Sequence, residues 1–545
     1  MKNIDSKGHV TGKSIYLDDI PLIQGTRFGV VFDSPVAHGT IESINYSKAR
    51  AIPGVIKIIT HEDIPGQNQI GGIIPDEQLF ASKEVHFVGQ PIALIIAESD
   101  QIAFAARKLI KIEISKNDVI VDPREAQQKD QLIIPPRTFE LGDTKNSWEN
   151  CAHIFEGQAD SNGQEHLYIE TQGAYAVPLE NGHIRISSST QGPTAVQRIT
   201  ARVLGVGMHK IEVDVVRIGG GFGGKEDQAT PWAVMAALGV SILNSPVKVV
   251  LSRLDDMRMT GKRHPYSSDY KIGLSKDLKI LAYETTFYQN AGASADLSPA
   301  VMVRTLFHGT NSYFIPNVKM TAYSCKTNLP PNTAFRGFGG PQGMFVIESA
   351  LSHAAKELSI STHELQKINL LKDGNEFPYG QIADGVELNS IWEKMESKFF
   401  VNMMRKNAYL TGLYVLIPIL CFSVLIHQKH WMIYLFLILV LNSSVDIGAW
   451  FFGKNFGEKK LWPKISPNKT RFGLLGGLSS SVVLSGIFIY LAFGNLNFPI
   501  FFSLIALGLL AQIGDLIESK IKRQLEVKDS SNLIPGHGGI YDRID

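Results

Sequence analysis

The sequence predicts an α+β soluble portion followed by an all-α polytopic membrane portion. Up to about residue 400, strand-like runs, Gly/Pro turns and scattered charges alternate with helical patterns, whereas long apolar stretches dominate beyond it. At 545 residues the chain is too long for one ordinary core. The segment across the change, VELNSIWEKMESKFFVNMMRKNAYL, has none of the Gly/Pro/Ser character of a linker.

Composition narrows the function classes. The chain carries 53 Lys+Arg against 52 Asp+Glu, a net charge of +1, so nothing in it advertises a nucleic-acid partner. Cys151, Cys325 and Cys421 lie far apart with no CxxC, which excludes an iron–sulfur centre within this chain and fits a reducing cytoplasm. The start, MKNIDSKGHV, lacks the apolar run of a secretory signal.

In the soluble portion, VGQPIALIIAES reads as a buried strand after a turn, and QIAFAARKLI as a helix. HKIEVDVVRIGGGFGGKEDQ reads as a strand entering a Gly-rich turn, followed by an apolar helix, TPWAVMAALGV. The run Gly219–Gly224 satisfies GxGxxG, but a dinucleotide fold needs an acidic residue about 20 positions on, and VSILNSPVKVVLSR offers none. Its glycines, Gly221 and Gly223 among them, would instead let backbone amides approach another anionic or oxo ligand. A second element, AFRGFGGPQG, adds Arg336 and Phe338; a structural turn is the bland alternative.

Four apolar stretches follow: Ala408–Ile426, Trp431 to about Trp450, Gly473–Phe493 and Asn497–Gly514. Each is roughly 18–21 residues, enough to cross a hydrocarbon core of about 30 Å. Basic residues gather before the first stretch (Arg405, Lys406), between the second and third (Lys454 to Arg471), and after the fourth (Lys520, Lys522, Arg523, Lys528). Placing all of these in the cytoplasm gives even alternation and keeps the soluble portion there, which predicts a multi-pass protein of the inner (cytoplasmic) membrane.

The last stretch runs into GDLIESKIKRQLEVKDSSNLIPGHGGIYDRID. Asp515, Asp529 and Asp542, with Lys522, Arg523 and Lys528 among them and a flexible Gly-rich loop containing His537, suit a Mg²⁺–nucleotide site. A solvated juxtamembrane patch is the alternative, and Asp446, inside the apolar run LNSSVDIGAWFFG, favours function because an ionisable residue there is costly.

The string from Ser519 to Asp545, S-x-x-K-R-x4-K-D-x-S-x2-I-P-G-H-G-G-x-x-D-R-x-D, resembles the signature of phosphatidate cytidylyltransferase, as does VDIGAWFFGKNFGEKKLWPKISPNKT upstream, from about residue 403 onward. The resemblance implies transfer of a cytidylyl group from CTP to phosphatidate, giving CDP-diacylglycerol and pyrophosphate. It also implies Mg²⁺ on Asp515, Asp529 and Asp542 and phosphate contacts from Lys522, Arg523 and Lys528. Lys464, Lys469 and His537 would meet CTP or the lipid headgroup. Several N-terminal spans of that family are absent, and the chain is expected to stop short of its final helix.

GHVTGKSIYLDD, FVGQPIALI, GQEHLYIETQ, STQGPTAVQ, IGGGFGGKED, GKRHPYS, RTLFH and CKTNLPPNTAFRGFGGPQGM, in that order, resemble the molybdenum-binding subunit of xanthine dehydrogenase and aldehyde oxidase. The resemblance implies a hammerhead α/β domain over 8–118 and a partial molybdopterin-binding domain over 119–396. Gln191, Phe222 and Arg336 would line the molybdenum, with Gly221 and Gly223 along the cofactor. Glu226 and Arg304 would orient a purine-like heterocycle and Phe338 would stack on it. The family's iron–sulfur and FAD modules would reside on another subunit. Its glutamate general base belongs to the half of the subunit that membrane spans replace here, so no purine hydroxylation is expected of this chain alone. Both resemblances break near residue 400 without respecting domain limits, which favours a non-functional chimera from a deletion or an assembly error over a native fusion.

Overall fold

The structure is a computed structural model that describes residues 5–398, 423–457, 460–462 and 466–524. It divides into two compact units, Met1–Leu388 and Asn389–Asp545.

Strands of the first unit, in chain order, are β1 (Arg27–Asp33), β2 (Gly39–Asn45), β3 (Val55–Ile59), β4 (Glu84–Val85), β5 (Pro91–Ala97), β6 (Lys111–Lys116), β7 (Leu132–Leu141) and β8 (His153–Gln158). They continue as β9 (Gly173–Pro178), β10 (Ile184–Ser188), β11 (Ile211–Asp214), β12 (Val247–Val250), β13 (Tyr266–Leu274), β14 (Ile280–Gly292) and β15 (Val318–Lys326). A seven-stranded mixed sheet has the order β11-β10-β9-β12-β1-β5-β3. Beside it stand a five-stranded sheet, β7-β15-β14-β13-β8, and a small one, β4-β2-β6. β1 runs parallel to β12, pairing Arg27 with Val247 through Gly29 with Val249, so one sheet crosses the limit expected near residue 118.

The apolar run of β5 is explained by burial on both faces. Leu94 and Ile96 enter one core with Ala176, Val249 and Trp232, while Ala93, Ile95 and Ala97 enter another with Phe32, Ala103 and Ala106. The helix expected after it spans Asp100–Arg107, capped where the Ser99 side chain accepts the Ile102 N–H at 3.3 Å. The helix Pro193–Leu204 opens on a proline and stops at Gly205, whose φ of +66° ends it in the left-handed conformation. The apolar helix after the Gly-rich turn spans Thr230–Leu243 and is buried nearly all round, consistent with its lack of a polar face.

In the second unit, the helices Trp431–Phe456 (26 residues) and Arg471–Phe493 (23 residues) are long and apolar enough to cross a membrane. At 1.5 Å per residue the first is about 39 Å long, more than the ~30 Å hydrocarbon core. They pack through small residues: a Cβ on Gly477 would lie 2.8 Å from the Val445 carbonyl, and one on Gly448 2.7 Å from that of Gly476. Met432, Phe436, Ile447, Val483, Ile487 and Leu491 point outward, an apolar surface suited to lipid. The third helix, Phe498–Gln524, is apolar as far as Gln512. Most of the first expected span, Ala408–Ile426, lies outside the described residues. The all-α expectation omits one feature: β16 (Lys460–Trp462) and β17 (Ser466–Thr470) form a two-stranded antiparallel ribbon between the two long helices.

Candidate functional site

The Gly-rich turn after β11 meets the second glycine element at one face of the first unit. The Gln191 side chain lies against the first of them. Its Oε1 accepts the Gly223 N–H at 2.9 Å and the Lys225 N–H at 3.2 Å, while the Gln191 backbone N–H donates to the Lys225 carbonyl at 2.6 Å. Because both partners of Oε1 are N–H donors, the orientation of the amide is settled and Nε2 is left as a donor on the exposed side. Gly221 is needed because a Cβ there would come within 2.4 Å of Gln191 Oε1. Gly223, at φ +101°, lies so close to the Ala334 carbonyl that a Cβ would sit at 2.8 Å.

The Arg336 N–H donates to the Phe222 carbonyl at 2.9 Å and ties the two elements together. Phe222 (φ +56°) and Phe338 (φ +51°) both adopt the left-handed conformation, unusual for aromatic residues. Phe222 is also 52% exposed. A strained phenylalanine held out to solvent contributes little to a core, so its position points to a ligand-facing role. The N–H groups of Phe222 and Gly337 find no acceptor among the described residues. With Gln191 Nε2 and the exposed Arg336 they make a donor-rich, cationic wall, which fits the oxo and phosphate groups of a molybdenum–pterin cofactor. That wall is open, since Gln191, Phe222, Arg304 and Arg336 are all exposed.

Residues not singled out from the sequence hold this wall. Lys225 is fully buried; its Nζ donates to Ser189 Oγ at 2.7 Å and the Glu170 carbonyl at 2.8 Å, approaches Glu170 Oε2 at 3.4 Å, and sits 4.6 Å from the centre of the Tyr168 ring. Burial pulls the Lys225 ammonium below its usual pKa, against the opposing pull of Glu170. Glu170 Oε2 also accepts the Gly219 N–H at 2.7 Å, so Glu170 and Lys225 pin the glycine run at its two ends. His166 Nε2 pairs with the Ala334 carbonyl at 2.7 Å, and its ring lies 4.5 Å from that of Phe335. Burial keeps His166 neutral by lowering its pKa. The only sequence signals for these supports were the charged residue closing the glycine run and the polar string GQEHLYIETQ.

Glu226 is half-buried beside Gln191, with its pKa raised by burial and by the neighbouring Asp227. Arg304 is exposed on the helix Ser298–Phe307, whose Thr305 Oγ1 donates to the Gly339 carbonyl at 3.1 Å, bringing that helix against the Phe338 element. No ion pair joins Glu226 and Arg304 among the described residues. In the second unit, Lys469 is half-buried on β17 and Asp446 lies on an exposed face of the helix Trp431–Phe456. Asp515, Lys522 and Arg523 follow one another along the helix Phe498–Gln524. Lys464, Lys528, Asp529, His537 and Asp542 lie outside the described residues.

The fold and the paired glycine elements define a molybdopterin-binding region of the hydroxylase class. Residues 11–118 match the aldehyde oxidase and xanthine dehydrogenase a/b hammerhead domain, and 125–370 the molybdopterin cofactor-binding domain. Residues 383–545 match the cytidylyltransferase family. The N-terminal part is thus the molybdenum-binding region of xanthine dehydrogenase type, and the C-terminal part is a cytidylyltransferase family domain. Xanthine dehydrogenase/oxidase of Gallus gallus is 40% identical over 384 residues, covering 70% of this chain and 28% of that protein. Xanthine dehydrogenase of Dictyostelium discoideum is 36% identical over 398 residues, 73% of this chain and 29% of that protein. The aldehyde oxidoreductase from Desulfovibrio gigas superposes with a TM-score of 0.70 at 25% identity, over 74% of this chain and 47% of that one. CO dehydrogenase from Oligotropha carboxidovorans shares the fold, with a TM-score of 0.67 at 22% identity, over 76% of this chain and 56% of that one. The chain therefore spans under a third of the length of these curated relatives and about half that of the solved structures.

Proposed function

We propose that this chain joins two partial enzymes, with segment limits of 8–118, 119–396 and 403–545. The first two segments contribute the molybdenum-facing wall of a purine hydroxylase of xanthine dehydrogenase type. The third contributes the nucleotide-phosphate end of a phosphatidate cytidylyltransferase in the cytoplasmic membrane, with the first two in the cytoplasm. The observation that carries the hydroxylase reading is the grip of Gln191 on the Gly223 and Lys225 amides, which leaves its Nε2 and the Phe222 N–H as donors on an open face.

On that face Gln191 Nε2, the Phe222 N–H and Arg336 would hold the oxygen ligands and phosphate of the cofactor, and Gly221 and Gly223 would let it approach the backbone. When bound, a molybdenum–pterin group supplies oxygen transfer and accepts the electrons. Glu226 and Arg304 would orient a flat polar heterocycle, and Phe338 would stack on it. Electrons would leave through an iron–sulfur/FAD subunit. The base that would activate the attacking oxygen is placed by family resemblance in a part of the relatives that this chain does not span, so the wall binds and orients without completing hydroxylation.

In the membrane segment the phosphatidate phosphate would attack the α-phosphorus of CTP while pyrophosphate leaves in line, which asks for positioning and charge neutralisation rather than a covalent nucleophile. Asp515, Asp529 and Asp542 would hold Mg²⁺, and Lys522, Arg523 and Lys528 would face the phosphates. Lys464, Lys469 and His537 would guide CTP or the lipid headgroup. The exposed apolar faces of the two long helices and their small-residue contacts support the membrane setting.

CTP-dependent formation of CDP-diacylglycerol in membranes carrying the chain, against Asp515→Ala, tests the transferase half: activity lost in the variant supports it, and equal activity in both removes it. Xanthine oxidation with an artificial electron acceptor tests the other half. No turnover is expected, and turnover would contradict the incomplete site. Long-read sequencing across the codons for residues 390–410 tests the join itself, since two separate genes there would show the chain to be an artefact.

A further inference from the structure

A second cluster of metal-ligand chemistry lies away from the glycine elements, on the small sheet β4-β2-β6. β2 and β4 pair antiparallel with Gly39 opposite Val85 and Thr40 opposite Glu84. Continuing that register by one residue sets His38 across from His86. Glu84, two positions before His86, shares its face of the strand, so the backbone alone collects three ligand-type side chains on one side. Their ligating atoms all lie within 4.8 Å of one another. A tetrahedron with metal–ligand bonds of 2.0–2.1 Å needs about 3.3 Å, which asks for rotamer adjustment of the exposed Glu84 and of the two half-buried imidazoles.

We propose that His38, Glu84 and His86 bind a zinc ion, leaving a fourth position open to the adjoining pocket. Two imidazoles and one carboxylate are the ligand set of open zinc sites. His38 Nδ1 lies 2.5 Å from the Asp118 carbonyl, to which its N–H donates; a second partner of this kind is how metal-bound histidines are oriented, with Nε2 as the ligating atom. The two imidazole rings lie 5.7 Å apart, tilted by 34°.

The backbones that carry the ligands are also fixed. The Asn117 N–H donates to the His38 carbonyl at 3.2 Å, the His86 N–H to Gln90 Oε1 at 2.6 Å, and Asn328 Nδ2 to the His86 carbonyl at 3.1 Å. Glu84 and His86 line a pocket of about 360 Å³ with Asp76, Glu77, Lys83 and Ser294, room for water or a small carboxylate or phosphate ligand. Lys326 opposes the ion's charge near His86, and Glu84 and Asp76 offset it.

The test is zinc binding by the purified full-length chain in detergent, stripped with chelator and titrated with Zn²⁺, in the wild type, His38→Ala, His86→Ala and Glu84→Gln. Glu84 is exposed, so Glu84→Gln leaves the fold intact while removing the carboxylate. The expected result is one zinc equivalent lost in each histidine variant and affinity weakened in Glu84→Gln at least as much as loss of a supporting partner costs, about 10–100-fold. X-ray absorption on the zinc-loaded wild type should give two nitrogen neighbours among oxygen or nitrogen ligands only. Equal zinc binding in all four proteins, no zinc binding in the wild type, or a sulfur ligand would overturn the proposal.

Discussion

The Gln191 carboxamide oxygen accepts the Gly223 N–H at 2.9 Å, across 32 residues of sequence, and this bond fixes the shape of the glycine run. The same oxygen takes the Lys225 N–H, so one exposed side chain organises a buried turn. Gln191→Ala removes both bonds and should cost about 1–2 kcal/mol in chemical denaturation followed by near-UV circular dichroism. Amide exchange over 219–225 should speed up. Gln191→Glu keeps the acceptor and should hold most of the stability; equal losses in the two variants would show that the acceptor is not what matters.

Lys225 and Glu170 form the buried support beneath the wall. Lys225→Met leaves Glu170 without its cation and should destabilise the first unit by about 3–5 kcal/mol, far more than a surface pair would. Adding Glu170→Gln, which retains an acceptor for the Gly219 N–H, should restore part of the loss. A double-mutant cycle with no coupling between the two positions would refute the pairing.

Carboxylates with raised pKa values make the first unit less stable as pH rises. Burial and neighbouring carboxylates push Glu77 up to about 8 and Asp296 up to about 7, and burial raises Asp227. Between their ordinary values near 4 and these raised ones, the folded state holds more protons than the unfolded chain. Their contribution to stability is therefore fully present at low pH and is lost as pH climbs toward 8. Melting temperatures should fall between pH 5.5 and 8.5, and Glu77→Gln, which still accepts from Ser294 Oγ, should flatten that fall. A variant that keeps the wild-type slope would rule out Glu77 as its source.

Close helix contact in the second unit depends on Gly477, where a Cβ would already lie 2.8 Å from the Val445 carbonyl and 2.6 Å from Gln512 Nε2. Gly477→Leu should force the helices apart at a cost of about 1–3 kcal/mol, read as an earlier midpoint in a denaturing-detergent titration. Leu491→Ala, on the outward apolar face, should move the midpoint little. The reverse order would contradict the observed packing.

Much of the fold was legible because periodicity is local. The run in β5, the helix after it and the strand–turn–helix around Gly219–Gly224 stand where the pattern puts them. The sheet crossing residue 118 was not legible, because the β1–β12 pairing joins residues some two hundred positions apart and leaves no periodic trace. At the site, the sequence named Gln191, Phe222 and Arg336 by family likeness; in the structure a backbone bond joins Arg336 to Phe222, and the Gln191 side chain holds the neighbouring Gly223. It did not reveal Glu170, Lys225 or His166, whose contacts are long-range and whose polarity alone reads as solvated surface. The ribbon between the two long helices is not legible for a different reason: KLW is too short and SPNKT too polar to register as a strand.

On the proposed function, this chain carries one wall of a molybdenum site without enclosing it. The most direct measurement is the molybdenum content of the full-length chain, purified from cells grown with molybdate. Far less than one molybdenum per chain is expected; one molybdenum per chain, lost in Gln191→Ala, would show an enclosed site instead.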